Sequence, residues 1–368
     1  MCDKMSCMEK YVDIRDKKYL DKLRNEVMPA LPSFCRDFFI GKSSVTTVLT
    51  RYNYGTDLIV FFDYLTQPGS VLEGADVKKI TLSDLDCIES RDIERFVDYL
   101  SGYNSPIENA YVKNSEKAKA RKLSAVRSLF KYLYTHDMIS ENVTTKVDMP
   151  KLREKEIIRL ENDEVKDVFE LIERKTSFVS EKQNAYNNNN TKVRDNAIVT
   201  LMLETGIRVS ECVGLNVQDI NFANKSFLVT RKGEKRSILY LNDDIIEAIQ
   251  DYLVVRKNQL EKKEIDPSTV DALFLSLQCK RISVRAVEIL VKKYTEIVNP
   301  LKRITPHKLR STYGTELYRQ TNDIYVVAEV LGHKDVNTTK KHYAAISEDI
   351  KKSAADKVNF KKKDDENE

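Results

Sequence analysis

The stretch ITPHKLRSTYGTEL, residues 304–317, decides the fold of the C-terminal half of the chain. Pro306 suits the first position of a helix, because the N–H that it lacks would have no partner there in any case. His307 and Arg310 would then lie three positions apart on one face of that helix. The stretch therefore predicts a helix that presents an imidazole and a guanidinium side by side.

A second stretch, VVAEVLGHKDVNTTKKHYAAI at residues 326–346, follows this helix. Gly332 is typical of a residue that ends a helix in the left-handed conformation, so His333 comes directly after a predicted helix end. Tyr343 follows His333 by ten residues. His342 lies beside the tyrosine, and the sequence assigns it no role.

Upstream, residues 204–220 read ETGIRVSECVGLNVQDI. Gly206 interrupts the helical pattern of the preceding segment, and Arg208 stands where a new helix begins. The sequence therefore predicts that Arg208 lies at the junction between a glycine break and a helix.

A β-hairpin is predicted next along the chain. Ser226–Thr230 and Ser237–Leu241 are rich in residues that favour strands, and Lys232 and Gly233 stand between them. This pattern predicts a turn that carries Lys232. Leu273–Ser276 predicts a third short strand.

Two arginines, a lysine, two histidines and a tyrosine suit one particular reaction. A phosphodiester under attack develops negative charge on its non-bridging oxygens, which guanidinium and imidazole groups can bind. A tyrosine can attack the phosphorus and form a covalent intermediate. A lysine whose pKa is lowered by neighbouring cations can protonate the departing oxygen. Because the cations are side chains, this chemistry predicts neither a metal nor another cofactor.

Length and composition limit the class of protein. The 368 residues are enough for two or three domains. No apolar run approaches the roughly 20 residues of a membrane helix, and residues 1–10 lack the apolar segment of a signal peptide. The six cysteines are scattered without a CxxC pair, which predicts reduced thiols in a cytoplasm rather than disulfides or a zinc site.

Positive charge is concentrated in two tracts, although 61 basic and 57 acidic residues leave a net charge of only +4. Residues 112–131 hold seven basic residues against one acidic residue, and residues 278–312 hold nine against two. Such tracts indicate a polyanionic partner or else two solvated helix faces. The candidate DNA contacts within them are Lys113, Lys117, Lys119, Arg121, Lys122, Arg127, Lys280, Arg281 and Arg285.

The first half of the chain predicts a small helical bundle at residues 30–148. A helix is expected at Asp16–Met28, and residues 45–65 carry apolar side chains at helical spacing. Another helix follows Ser90, and a basic helix begins near Ser115, which is a suitable N-cap.

The second half predicts a mixture of helices, strands and loops. Helices are expected at Asn162–Lys175 and Arg194–Glu204, and again from Ser283 nearly to the end. The polar, asparagine-rich residues 178–192 predict a mobile loop.

These motifs, together with TRKGEKR at residues 230–236, resemble the tyrosine recombinase (phage integrase) family, most nearly its Xer-type and integrative-element members. The resemblance covers residues 44–345. It places the family's two arginines on Arg208 and Arg310 and its two histidines on His307 and His333. Its lysine falls on Lys232 and its nucleophile on Tyr343, which implies an active enzyme.

The resemblance implies a mainly α fold with a small antiparallel β-sheet, in which an α+β catalytic domain follows a helical core-binding bundle. The domains would be an N-terminal extension, the core-binding domain, a linker, the catalytic domain and a tail with an exchanged helix. Their expected bounds are 1–29, 30–148, 149–158, 159–346 and 347–368.

The implied partners are double-stranded DNA with a specific core site and three further copies of the chain in a homo-tetramer. Tyr343 would form a 3′-phosphotyrosine link, and two rounds of strand exchange would pass through a Holliday junction without ATP. The family implies a bacterial cytoplasm, on the nucleoid. Accessory proteins are a possible addition. Chromosome-dimer resolution, integration or excision of a mobile element, and DNA inversion all remain open.

Three other functions are compatible with parts of the sequence. An integrase-like DNA-binding regulator would keep the basic tracts but should lack one or more of the six residues. A metal-dependent nuclease would need a ligand set such as HExxH, which does not occur near His307 or His333. A type IB topoisomerase would share the covalent chemistry without obligatory pairing of sites.

Overall fold

The computed structural model describes residues 11–152, 158–173, 189–231, 235–266, 270–333, 335–336 and 339. The chain divides into two compact units, Met1–Lys155 and Glu156–Glu368. Most of the described elements are helices, and the strands form two small antiparallel sheets. Among the helices that the structure describes, none is both long and apolar enough to cross a bilayer.

The first unit is a helical bundle, as the sequence predicts. Short 3₁₀ and π turns and a two-stranded hairpin connect its helices. The helices are α1 (Tyr11–Lys22), α2 (Cys35–Gly41), α3 (Val48–Thr66), α4 (Leu82–Asp86), α5 (Ser90–Tyr99) and α6 (Glu116–Thr135). The hairpin strands are β1 (Tyr103–Asn104) and β2 (Tyr111–Val112).

One continuous apolar core holds the bundle together. Phe61 on α3 lies at its centre, with its ring centroid 5.0 Å from that of Phe96 and 6.2 Å from that of Phe130. Offset and edge-on contacts of this kind add to the burial of the rings. Leu23 and Val27, from the region predicted as an N-terminal extension, are also buried in this core. The boundary predicted at residue 29 itself stays a prediction.

The second unit is built around one buried helix. This helix, α8 (Asn189–Thr205), has a fully buried face that includes Ala197, Ile198, Leu201 and Met202. It packs against helices α10 (Asp243–Glu261) and α12 (Pro306–Thr321). The helices of the unit are α7 (Asn162–Glu173), α8 (Asn189–Thr205), α9 (Val209–Gly214), α10 (Asp243–Glu261), α11 (Val284–Val298), α12 (Pro306–Thr321) and α13 (Ile324–Leu331).

The sheet of the second unit has three antiparallel strands in sequence order. They are β3 (Ile220–Asn221), β4 (Ser226–Thr230) and β5 (Arg236–Tyr240). The hairpin predicted from β4 and β5 is therefore present, with Thr230 opposite Arg236 at the end next to the connecting residues and Ser226 opposite Tyr240 at the open end. Its turn, residues 232–234, lies outside the described residues.

The third strand was predicted in the wrong place. Leu273–Ser276 does not join the sheet and forms only one isolated bridge, between Leu275 and Arg281, because its backbone is engaged elsewhere. The Leu273 N–H donates to the carbonyl of Leu215, and the Leu275 N–H donates to the phenol oxygen of Tyr252. The short strand β3 takes the edge of the sheet instead.

Two further predictions of local structure need correction. The predicted loop 178–192 overlaps helix α8, which already begins at Asn189, so an asparagine-rich composition does not prevent helix where the next turns are buried. The helical region after Ser283 is interrupted between α11, α12 and α13, and Asn322 ends α12 in the left-handed conformation. Residues 174–188 and 340–368 lie outside the described residues, as does the predicted exchanged helix.

Candidate active site at the C-terminal end of helix α13

The C-terminal end of helix α13 is the structural centre of the candidate site. Gly332 caps the helix with a φ of 61°, a conformation that costs glycine little. The Gly332 N–H donates to the carbonyl of Glu329, and the His333 N–H donates to that of Ala328. This pair of bonds is the Schellman arrangement. It leaves the carbonyls of residues 330, 331 and 332 without partners from the helix cap.

Arg208 and Arg310 donate to two of these carbonyls. The Nη2 of Arg208 lies 3.3 Å from the carbonyl oxygen of Gly332, and the Nη2 of Arg310 donates to that of Leu331. The Nη1 of Arg310 also lies 2.5 Å from the carbonyl oxygen of Gly206. The two predicted phosphate-binding arginines therefore converge on the last residues before His333, although 102 positions separate them in sequence.

The third carbonyl belongs to Val330, and Arg231 donates to it with its Nη2 at 2.8 Å. The Arg231 side chain also lies against Gly332, where a Cβ would come within 1.2 Å of its Nη1. The positive φ favours glycine at position 332, and the absence of a Cβ leaves room for the Arg231 guanidinium. The negative end of the helix dipole thus faces three guanidinium groups.

Arg208 is oriented by its own helix. It is the N-cap of α9, and the side chain of Glu211 accepts from both its backbone N–H at 3.1 Å and its Nη1 at 2.8 Å. The Glu211 side chain is only 5% exposed. A buried carboxylate that is bonded on two sides holds the guanidinium in one orientation.

Gly206 allows the chain to turn before Arg208. Its φ is 61°, and a Cβ at this position would come within 2.5 Å of the Tyr313 ring. The glycine break read from the sequence is therefore a left-handed residue that packs against helix α12.

His333 follows the helix end directly and is half-buried. Its Nδ1 lies 2.7 Å from the hydroxyl of Thr339, which is fully buried. An imidazole held through one nitrogen presents the other in a defined direction.

His307 occupies the first turn of α12, after Pro306 at the first helical position. Its backbone carbonyl accepts from the Ser311 hydroxyl at 3.1 Å. The side chain of His307 is exposed, whereas Arg310, three residues later, is 4% exposed. The structure therefore places an accessible imidazole one turn before the buried guanidinium.

Lys232 and Tyr343 lie outside the described residues. Their predicted roles stay predictions, as do those of the four residues described above.

The site concentrates positive charge in a partly desolvated place. Burial lowers the pKa of Arg231; the nearby Glu211 acts in the opposite direction, and the cation Arg208 lowers the pKa further. Guanidinium groups that remain charged under these conditions favour an anion strongly, because few water molecules screen the interaction.

The basic candidates of the first unit have very different environments. Lys113 and Lys117 are exposed near the start of helix α6. Lys119 is paired with Glu116 at 3.0 Å, and its side chain is only 13% exposed. Arg127 donates to the carbonyl of Val147.

Arg121 and Lys122 share a buried aspartate. The Nη1 of Arg121 lies 2.5 Å from an oxygen of Asp57, and the Nζ of Lys122 lies 3.9 Å from the other. The Lys122 side chain is 9% exposed, whereas that of Arg121 is 49% exposed. Lys122 is thus engaged inside the bundle, and Arg121 keeps half of its surface open.

The basic candidates of the second unit also divide into two kinds. Lys280 is exposed, and Arg285 is exposed while paired with Glu288 at 3.1 Å. Arg281 instead donates to the carbonyls of Val213 and Leu215, both at 2.9 Å, and to the side chain of Asn216. These contacts hold the Arg281 side chain against residues 213–216 of its own unit.

Glu211, Arg231 and Thr339 were not identified from the sequence. Glu211 could have been, since an acidic residue three positions after a helix start is the signal of a capping box. Arg231 and Thr339 carry no local signal, because their partners are brought to them only by the fold.

Comparison with known proteins agrees with this geometry. The sequence pattern of the phage integrase family matches residues 159–349. Tyrosine recombinase XerC of Caldanaerobacter subterraneus subsp. tengcongensis is 36% identical over 318 residues, covering 85% of this chain and 82% of that protein. Tyrosine recombinase XerS of Streptococcus sanguinis is 30% identical over 359 residues, covering 92% and 98%.

Solved structures show the same fold. XerH site-specific recombinase bound to difH substrate has a TM-score of 0.59 at 20% identity and covers 85% of this chain and 80% of that one. A lambda integrase dimer bound to a core site has a TM-score of 0.57 at 16% identity, covering 84% and 93%. The chain therefore belongs to the phage integrase family and is a site-specific tyrosine recombinase.

Proposed function

We propose that the chain cuts and rejoins DNA through a 3′-phosphotyrosine intermediate formed by Tyr343. The observation that carries this proposal is the convergence of Arg208 and Arg310 on the helix end that directly precedes His333. Two fixed guanidinium groups beside an imidazole provide the donors that a phosphate under attack needs. Family membership supports the same residues in the same order.

The reaction needs no external source of energy such as ATP. The phenol oxygen of Tyr343 attacks the scissile phosphorus while His307 accepts its proton. The bond to the 5′-oxygen breaks, and Lys232 protonates that oxygen as it leaves. The energy of the phosphodiester is kept in the phosphotyrosine link, so the 5′-hydroxyl of a partner strand can attack it and restore the DNA.

Arg208, Arg310 and His333 would stabilise the pentavalent state between these steps. Each donates to a position where negative charge grows, and each is already held in place before substrate binds. Donors that need no reorganisation during the reaction are the most effective electrostatic catalysts.

The partners in this proposal are double-stranded DNA with a specific core site and other copies of the chain. Four protomers would hold two sites, and two rounds of exchange would pass through a Holliday junction. The tail at 347–368 would contribute an exchanged helix. We place the reaction in the bacterial cytoplasm, on the nucleoid, with accessory proteins as possible additional partners.

The exposed basic residues are the proposed DNA contacts. Lys113, Lys117, Lys280 and Arg285 present their side chains to solvent, and Arg121 is half exposed. Contacts of this kind bind phosphates and carry little sequence information. The more deeply engaged candidates, such as Lys122, would support the helices that present them.

The biological role that we propose is Xer-type recombination, which resolves chromosome dimers or integrates and excises a mobile element. The extent of the similarity supports it, since the XerS relative is matched over 92% of this chain. Once the recombination site is identified as described below, two copies placed in direct repeat on one plasmid, or on two separate plasmids, distinguish resolution from integration by the products formed.

Covalent capture of DNA tests the proposal. Sheared chromosomal DNA from the source organism is nicked lightly with DNase I and incubated with the protein in EDTA. A nick close to the scissile phosphate lets a short strand diffuse away, so the phosphotyrosine link accumulates. We expect DNA covalently attached to protein on a denaturing gel, enriched in one sequence, hereafter the captured duplex.

The control is Tyr343→Phe, which lacks only the attacking oxygen and should form no adduct. Cleavage that EDTA abolishes and that leaves no adduct would indicate a nuclease. Binding without any adduct in the unmodified protein would indicate a DNA-binding regulator.

A further inference from the structure

We propose that Arg231 is a positioning residue for strand cleavage. It would anchor the end of strand β4, and with it the Lys232 that follows directly in sequence, to the C-terminal end of helix α13. This inference rests on the proposed function, because it acts through Lys232 as the proton donor to the leaving oxygen.

Arg231 is the described residue that directly precedes Lys232, and its backbone is bonded to the other side of the connection between β4 and β5. Its N–H donates to the carbonyl of Lys235 at 2.8 Å, so the two described residues that flank residues 232–234 are bonded to each other. The bond ties together the two strand ends between which Lys232 lies in sequence.

The side chain of Arg231 binds the C-terminal end of helix α13. Its Nη2 lies 2.8 Å from the carbonyl oxygen of Val330, and its guanidinium packs against Gly332. His333 is the next residue, and Arg208 binds the carbonyl of Gly332. One side chain thus joins the strand end before Lys232 to the helix end before His333.

The surroundings of Arg231 are unfavourable for a cation, so its place here is not explained by stability alone. Within the described part of the chain, the buried Nε of Arg231 has no hydrogen-bond partner. Its guanidinium also lies close enough to that of Arg208 for repulsion to affect its ionisation. A desolvated cation beside another cation adds little to stability and is typical of sites where geometry serves catalysis.

A general acid has a specific chemical signature. Protonation matters when the leaving group is an alkoxide, but a thiolate leaves readily without a proton, since a thiol has a pKa of roughly 8.5. DNA in which sulfur replaces the 5′-bridging oxygen at the scissile phosphate therefore bypasses the need for Lys232. A residue that acts by positioning Lys232 should be bypassed in the same way.

The experiment compares single-turnover cleavage of the captured duplex in its ordinary form and in its 5′-bridging phosphorothiolate form. We expect Arg231→Ala to slow cleavage of ordinary DNA by about 10²-fold, and the sulfur substrate to recover most of that loss. Arg231→Lys keeps the positive charge and an aliphatic chain but loses the planar guanidinium. Its cleavage rate should therefore lie between those of Arg231→Ala and the unmodified protein.

Three comparisons make the outcome decisive. Lys232→Ala should be rescued by sulfur, whereas Arg208→Ala should stay slow on both substrates because it loses a phosphate donor. Arg236→Ala removes an exposed arginine from the same hairpin and should cleave both substrates normally. Thermal unfolding of each variant shows which of them are folded, and Arg231→Lys replaces Arg231→Ala if the latter is not.

The inference is overturned if the Arg231 variants cleave ordinary DNA at the normal rate, or if they remain equally slow on both substrates while Lys232→Ala is rescued. Failure of sulfur to rescue Lys232→Ala would count against the proton-donor role of Lys232 in the proposed function, and with it against the route by which Arg231 acts.

Discussion

Single residues determine how firmly the site is held, and Glu211 is the clearest case. Its buried carboxylate accepts from the backbone and from the guanidinium of Arg208. Charge-assisted bonds of this kind are about twice as strong as neutral ones. The proposed orientation of Arg208 toward a phosphate would therefore depend on the charge of a residue that need not touch DNA.

Glu211→Gln tests this dependence with almost no change of shape. We expect adduct formation on the captured duplex to fall by roughly 10²-fold, because a small displacement of an oriented donor has a large effect on rate. Glu261→Gln is the matched control, since Glu261 is exposed and lies 3.9 Å from Lys257. Equal rates for Glu211→Gln and the unmodified protein would contradict the positioning role.

Asp57 is a second residue whose charge matters, here for stability. It is 2% exposed, and burial raises its pKa to about 6, against the opposing effects of Arg121 and Lys122. Because the folded pKa lies above the ordinary value of 3.8, the folded state binds the proton more tightly than the unfolded state. The resulting stability is present below pH 3.8 and is lost as the pH rises through about 6.

Urea unfolding of the unmodified protein and of Asp57→Asn measures this effect. The free energy of unfolding of the unmodified protein, relative to the variant, should decrease by up to about 3 kcal/mol between pH 4 and pH 7. The comparison removes the contribution of other titrating groups. A difference that stays constant with pH, or that increases, would show that the Asp57 carboxyl is ionised throughout.

At the scale of elements, helix α6 shows how local sequence sets a boundary. The hydroxyl of Ser115 accepts from the N–H of Ala118, as expected of the predicted N-cap. The cap satisfies one of the N–H groups that the first helical turn leaves without a partner. It also fixes the position of the exposed Lys117 in the first turn of the helix.

Ser115→Ala should lower the free energy of unfolding by about 1 kcal/mol. Ser124→Ala in the same helix is the matched control, because its hydroxyl donates to the carbonyl of Ala120 inside the helix and contributes little. Chemical denaturation of both variants checks the difference. Equal losses at the two positions would mean that the cap does not stabilise the helix.

Across the whole molecule, the net charge is a poorer guide to DNA binding than the exposure of each charged side chain. Several of the nine candidate DNA contacts are bound inside their own unit, as Arg281 and Arg127 are. Others, such as Lys117 and Arg285, are open to solvent. Only the open charges can release counterions when they meet phosphates.

The salt dependence of DNA affinity distinguishes these two groups. Lys117→Ala and Arg285→Ala should each weaken binding to the captured duplex and reduce the slope of log K against log salt by about 1. Arg281→Ala should instead lower the melting temperature and leave the slope nearly unchanged. A reduced slope for Arg281→Ala, with normal stability, would place that residue among the phosphate contacts.

Helix boundaries followed from the sequence where a local cap signal marks them, but not at the starts of α1 and α8, which begin about five residues before their predicted positions. Ser115, Pro306 and Gly332 each act through their own backbone or a hydroxyl within one turn. The hairpin of β4 and β5 was predictable for the same reason. Leu273–Ser276 was misassigned because its hydrogen bonds go to distant residues such as Leu215, which no local pattern reveals.

The sequence by itself determined the chemistry available to this protein: which residue types occur in which order, and hence the family to which it belongs. Only the tertiary structure decided how they are held. Arg208, Arg231 and Arg310 come from separate elements and meet at one helix end. The physical reason is that a helix terminus leaves carbonyls without partners, and which cations satisfy them depends on packing between elements far apart in the chain.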